Sequence, residues 1–78
     1  MKKVVLIAQN EAKATEGAAH FTGLTVRKVY PGTKRFPRHF DAIVVYHNEP
    51  SETNLFKDEI EKFADAPVKV FLGKTAHD

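Results

Sequence analysis

Cysteine is absent from the 78 residues, which excludes disulfides, thiolate metal sites and cysteine nucleophiles together. An unstapled chain of this length buries only about 60% of the surface that it exposes when unfolded. It therefore suits the cytoplasm, or it gains stability by self-association. Long apolar runs are also missing. The run that follows Lys2 and Lys3 stops at Ala8, too short for a signal core or a membrane span, so a chain without a membrane segment or a cleaved leader is expected. Between Ala8 and Gly17 there is neither G-x-G-x-x-G nor G-x-x-x-x-G-K-[ST], and without such glycines the backbone does not approach a pyrophosphate closely. His20, His39, His47 and His77 lack the spacings that bring two imidazoles to one helical face, so no zinc site is expected. No metal, no cofactor and no catalytic residue follows from the sequence.

Acids are missing from one long stretch. None occurs between Glu16 and Asp41, while Arg27, Lys28, Lys34, Arg35 and Arg38 all fall there, hidden within a formal net charge of +2. The next stretch has the opposite bias, with Glu49, Glu52, Asp58, Glu59, Glu61 and Asp65 against Lys57 and Lys62. The chain is electrically bipolar, not uniformly basic.

What is present is an alternation of strand and helix patterns. Residues 3–8 form an apolar run suited to a strand covered on both faces, as in parallel sheets. Residues 11–21 read as an alanine-rich helix that Gly17 weakens by about 1 kcal/mol relative to alanine. Residues 24–30 alternate apolar and charged positions like an exposed edge strand, closed by the Pro31-Gly32 turn. Residues 41–46 are a second continuous apolar strand. Ser51 suits an N-cap, and Phe56, Ile60, Phe63 and Ala64 then recur at helical spacing up to about residue 65, before Pro67. Residues 68–72 suit the other edge, and 73–78 form a polar tail. The expectation is a single α/β domain over 1–78, a small three-layer Rossmann-like or flavodoxin-like fold. Its mostly parallel four-stranded sheet takes the order 2-1-3-4, as in a flavodoxin-like sheet that lacks its last unit. Right-handed crossovers place the first helix on one face and the second helix, with the 31–41 connection, on the other. That connection is short for a parallel crossover and Pro37 bars a helix in it, so an antiparallel second strand is the structural alternative.

Two stretches read almost alike. Val4 to Glu11 and Ala42 to Glu49 are apolar runs that end in an amide or imidazole, then Asn, then Glu. In a parallel sheet these endings share one rim, where ligands of open α/β sheets usually sit. Gln9, Asn10, Glu11, His47, Asn48, Glu49 and Lys74, with Thr75, are the candidate rim residues. Glu11 and Glu49 could hold a hard cation, or the set could bind a polar small molecule. The same short polar residues also suit capping of the helices that follow.

The sheet order resembles that of response-regulator receiver domains. In that family acids follow the first strand, a phosphate-accepting Asp ends the third, and Thr and Lys come from later strands. Glu11 corresponds to one of the acids. Positions 47 to 49 read His-Asn-Glu with no Asp, and Lys74 and Thr75 follow the wrong strand, so the resemblance is one of architecture and argues against phosphotransfer.

The third feature is the basic connector over 27–39, where Arg27, Lys28, Lys34, Arg35 and Arg38 alternate with Tyr30, Phe36 and Phe40. Cations that neutralise phosphates beside rings that stack on unpaired bases are the chemistry of single-strand binding. Phe36 and Phe40 are also needed to cover a sheet face without a helix. The sequence thus predicts a small non-enzymatic binding or regulatory module acting through a protein partner or as a homodimer. A nucleic-acid binder using the connector is the first alternative, and a small-molecule or metal-assisted rim site the second.

Overall fold

The structure, a computed structural model, describes residues 3–47, 50–66 and 68–73. Strand β1 (Lys3–Ile7) leads through helix α1 (Glu11–Ala18) to β2 (Thr25–Val29), and residues 30–41 carry the chain to β3 (Ala42–His47). A 3-10 helix (Pro50–Phe56) then runs into α2 (Lys57–Glu61), followed by β4 (Lys69–Gly73). The sheet order is β2-β1-β3-β4, and all three pairings are parallel. The central places of β1 and β3 follow from their uninterrupted apolar runs, since a strand covered on both faces has no solvent side to alternate toward. Residues 30–41 make the β2 to β3 crossover without a helix. The antiparallel alternative for β2 is therefore not adopted.

Two apolar layers sandwich the sheet. Val5, Ile7, Val29, Ile43 and Val45 face Phe56 and Phe63, with Phe36, Phe40, Ile60 and Ala66 packed around them. Val4, Leu6, Ala8, Val44 and Tyr46 face Ala14 of α1, with Phe21, Leu24, Val26 and Tyr30 at the margin. The connector and α2 thus share one face, and α1 takes the other. Phe36 and Phe40 cover part of the face that lacks a long helix. Among the described residues no helix is long and apolar enough to cross a membrane.

Both helices are shorter than the patterns predict. The chain tightens after Ala18, with the His20 N–H donating to the Gly17 carbonyl at 3.0 Å and the Phe21 N–H to that of Ala18 at 3.0 Å, the 3-10 geometry that commonly finishes a helix. Gly17 has a steric reason to be glycine. A Cβ there would lie 2.8 Å from Tyr46 Cγ and 3.1 Å from Leu6 Cδ1. The second helix departs further, since α-helix is confined to Lys57–Glu61 and the residue before it, Phe56, makes no side-chain cap. Ser51, Thr53 and Asn54 have low intrinsic helix propensity, and residues 50–56 take the tighter 3-10 form. The apolar positions keep their duty in part: Phe56 and Phe63 are buried, Ile60 is half-buried and Ala64 is exposed.

The turn at the start of the connector is sharply specified. Pro31 precedes Gly32, whose φ of +102° suits glycine alone among common residues. The Thr33 N–H donates to the Tyr30 carbonyl at 2.9 Å, and the Tyr30 N–H donates to Thr33 Oγ1 at 3.0 Å. At its other end the connector is tied to β1, with the Asp41 N–H donating to the Lys3 carbonyl at 2.8 Å and the Lys3 N–H donating to Asp41 Oδ2 at 3.0 Å.

Candidate functional site

The rim at the carboxyl ends of β1 and β3 is built by register. Val4 lies beside Ala42 and Ile7 beside Val45, the same alignment that makes the two sequences read alike. Continued by two residues, it sets Gln9 level with His47, which is flanked on its other side by Gly73. His47 is buried, Gln9 half-buried, and Asn10 and Glu11 exposed. Asn10 is the N-cap of α1, its Oδ1 accepting from the Lys13 N–H at 2.8 Å. Glu11 follows in the first turn, where a carboxylate is favoured by the helix dipole. Asn48, Glu49, Lys74 and Thr75 lie outside the described residues. Among the described residues no three His, Cys, Asp or Glu side chains come together to hold a metal ion.

The connector builds a different site. Lys34, Arg35, Phe36, Pro37, Arg38 and Phe40 form one wall of an open groove of about 870 Å³, and Lys62, Phe63, Asp65 and Ala66 form the other. Four cations against one carboxylate leave the lining at +3. The rings form its floor. Phe63 is buried beneath the half-buried Phe36 and Phe40, with centroids 6.0 Å and 5.5 Å away, tilted and edge-on respectively. Lys62 Nζ stands 5.1 Å from the centroid of Phe36. This is an exposed cation–π contact, worth about 0.5–1 kcal/mol.

Strand geometry divides the remaining basic residues. Adjacent residues of a strand point to opposite faces, so Arg27 and Lys28 part company. Arg27 lines a small pocket with Arg38, His39 and Phe40 and so extends the basic groove along β2. Lys28 stands on the α1 face, where its Nζ donates to Thr15 Oγ1 at 3.2 Å. The structure therefore gathers Arg27, Lys34, Arg35 and Arg38 on one side and adds Lys62, which sequence reasoning counted as a minor cation of an acidic segment. Its only signal was its place beside Phe63. Which flank of the helix would meet the connector depends on how α2 crosses the sheet, and one sequence does not print that.

Sequence reasoning also missed a hydrogen-bonded pair on the other face, between buried Tyr46 and exposed Glu16. The Tyr46 hydroxyl donates to Glu16 Oε1 at 2.7 Å, and the His20 ring lies 6.0 Å from that of Tyr46. Burial pushes the Tyr46 phenol up from its ordinary 10.0 to about 12, and the hydrogen bond and negative charge of Glu16 act in the same direction. A phenol held in its neutral form across the working pH range, packed under Gly17, acts as a key between α1 and β3. No family model matches this chain, and neither the curated proteins nor the solved structures contain a match to it.

Proposed function

We propose that this chain is a small non-enzymatic binding module whose working surface is the groove between the connector and the turns that follow α2, and that the groove takes nucleic acid. The observation that carries the reading is the composition of that surface: Lys34, Arg35, Arg38 and Lys62 around Phe36 and Phe40. Lysine and arginine displace counterions from phosphates, which supplies affinity without sequence preference. Arg27 lengthens the basic track. If all five cations reach phosphates of a single strand, log affinity falls with log salt at a slope of about −3.5. Fluorescence-anisotropy titrations of a labelled mixed-sequence oligonucleotide over a range of salt test this directly. Replacing Arg35 and Arg38 by Glu reduces affinity by about 100-fold or more, because two attractions become two repulsions. Glu11→Gln leaves it unchanged. Failure of the unaltered chain to bind at low salt removes the proposal.

A second reading, self-association as a two-fold homodimer, is favoured by β4. This strand lies at the sheet edge, and Val68 and Val70 are 40% and 44% exposed. Val70 is level with Val44, while α1 packs over β1, β2 and β3. Antiparallel pairing of two β4 edges would continue the sheet across the two-fold axis and cover both valines in each copy. Val70→Lys then lowers the sedimentation coefficient from dimer to monomer. A wild-type chain that is monomeric at every concentration ends this reading.

A further inference from the structure

We infer that the ligand of the groove is single-stranded nucleic acid and that Phe36 is the platform on which one base stacks, taking the place that Lys62 occupies over the ring. This inference rests on the groove reading above and specifies its ligand. Phe36 differs from the other two rings of the groove. Phe63 is buried, and Phe36 and Phe40 are both half-buried rings packed against it, but among the described residues Phe36 alone of the three has a cation over its face. Phe36 is half-buried, packs on the core at one side and carries an ammonium 5.1 Å from its centroid. The place over the ring is therefore large enough for a cation and reachable by a flexible side chain.

Magnitudes decide which partner holds that place. An exposed cation–π contact is worth a factor of about 2–5 in an equilibrium constant, whereas stacking of a base on an aromatic ring is worth a factor of about 5–150. A base displaces Lys62 from the ring, and the long lysine side chain is then available to a neighbouring phosphate. The backbone around the platform is restricted in advance. Pro37 fixes its own φ and pushes Phe36 toward extended geometry, which reduces the ordering entropy of the loop on binding. Lys34 and Arg35 precede the ring in sequence and Arg38 follows it, so phosphates on either side of a stacked base meet cations.

A duplex does not suit this surface. Reading or gripping duplex DNA by its major groove takes a protruding helix or two-stranded ribbon, and the groove is lined by an irregular connector and the turns of residues 62–66 that follow α2. A paired base has no free face to offer Phe36.

The test uses the full chain and three probes of equal length: an oligothymidine single strand, an abasic single strand with the same sugar-phosphate backbone, and a duplex. Anisotropy titration at low salt should give oligothymidine roughly tenfold tighter binding than the abasic strand, the lower part of the stacking range. Phe36→Leu keeps an apolar group on the core and removes the π-face. It should weaken oligothymidine roughly tenfold, leave the abasic strand unchanged and preserve the salt slope. Phe36→Trp adds a lone indole to a chain without tryptophan, and oligothymidine should quench its fluorescence while the abasic strand does not. Equal affinity for oligothymidine and the abasic strand, no effect of Phe36→Leu, or duplex binding as tight as single-strand binding overturns the inference. In those cases the loss of binding on charge reversal at Arg35 and Arg38 still upholds the groove. Absence of binding to all three probes removes the groove reading as well.

Discussion

Over one face of the sheet lies a capped helix keyed to Tyr46, and over the other lies a loop of cations and half-buried rings. On the α1 face, Asn10 caps the helix, Gly17 lets it rest on the Tyr46 ring, Glu16 receives the Tyr46 hydroxyl, and even Lys28 is bonded to Thr15. On the connector face, the rings that complete the core leave part of their surface exposed, and Lys34, Arg35 and Arg38 border an open groove. The contrast separates residues that hold the fold from residues available to a partner. In a chain that has little apolar area to spare, Phe36 and Phe40 serve the core with one side and the groove with the other.

The largest effect that would break this division is at Phe63, where both roles meet. Phe63→Ala removes a buried ring and is expected to cost about 3–5 kcal/mol, a large share of the stability of so small a domain. Urea denaturation should show an early or missing transition. A midpoint within error of wild type would mean that the connector face is not packed as described.

Gly17→Ala follows in size. Overpacking against Tyr46 is expected to cost about 1–3 kcal/mol, set against up to about 1 kcal/mol of helix propensity gained. A net loss should appear as a lower thermal midpoint with oligonucleotide affinity unchanged. A higher midpoint would show that α1 does not lie so close to β3.

Alkaline titration sharpens the same contrast. Below pH 10 the Tyr46 phenol is protonated in both folded and unfolded chains. Its folded value is raised to about 12, so between pH 10 and 12 the unfolded chain releases the proton first, and stability present below pH 10 is lost as pH rises. Urea midpoints measured from pH 9 to 11.5 should fall more steeply for wild type than for Tyr46→Phe, which has no phenol to ionise. Parallel curves would contradict a buried phenol. The smallest expected effect is Lys28→Ala, which should change oligonucleotide affinity by less than about twofold, because Lys28 stands on the face away from the groove. A loss as large as that of Arg38→Ala would erase the distinction between the faces.

Much of the architecture was legible in the sequence, and the reason is physical. The strands 3–8 and 41–46 lack any polar alternation, which only central positions tolerate, and the order 2-1-3-4 follows once the short segments go to the edges. The second helix was misread because Phe56, Ile60, Phe63 and Ala64 satisfy helical spacing whether or not the turns before Lys57 are 3-10. The basic connector was visible as charge, but its division was not. Arg27 and Lys28 are neighbours in the chain and sit on opposite faces, while Lys62 reaches Phe36 from a segment that reads as acidic. The Tyr46–Glu16 pair left no local signal, since the two residues lie 30 positions apart.

Sedimentation velocity of the full chain with a single-stranded oligonucleotide at low and high salt tests the central claim most directly. The account predicts comigration at low salt that is lost at high salt. An oligonucleotide that sediments alone at low salt, beside a protein whose own sedimentation ignores it, would contradict the account.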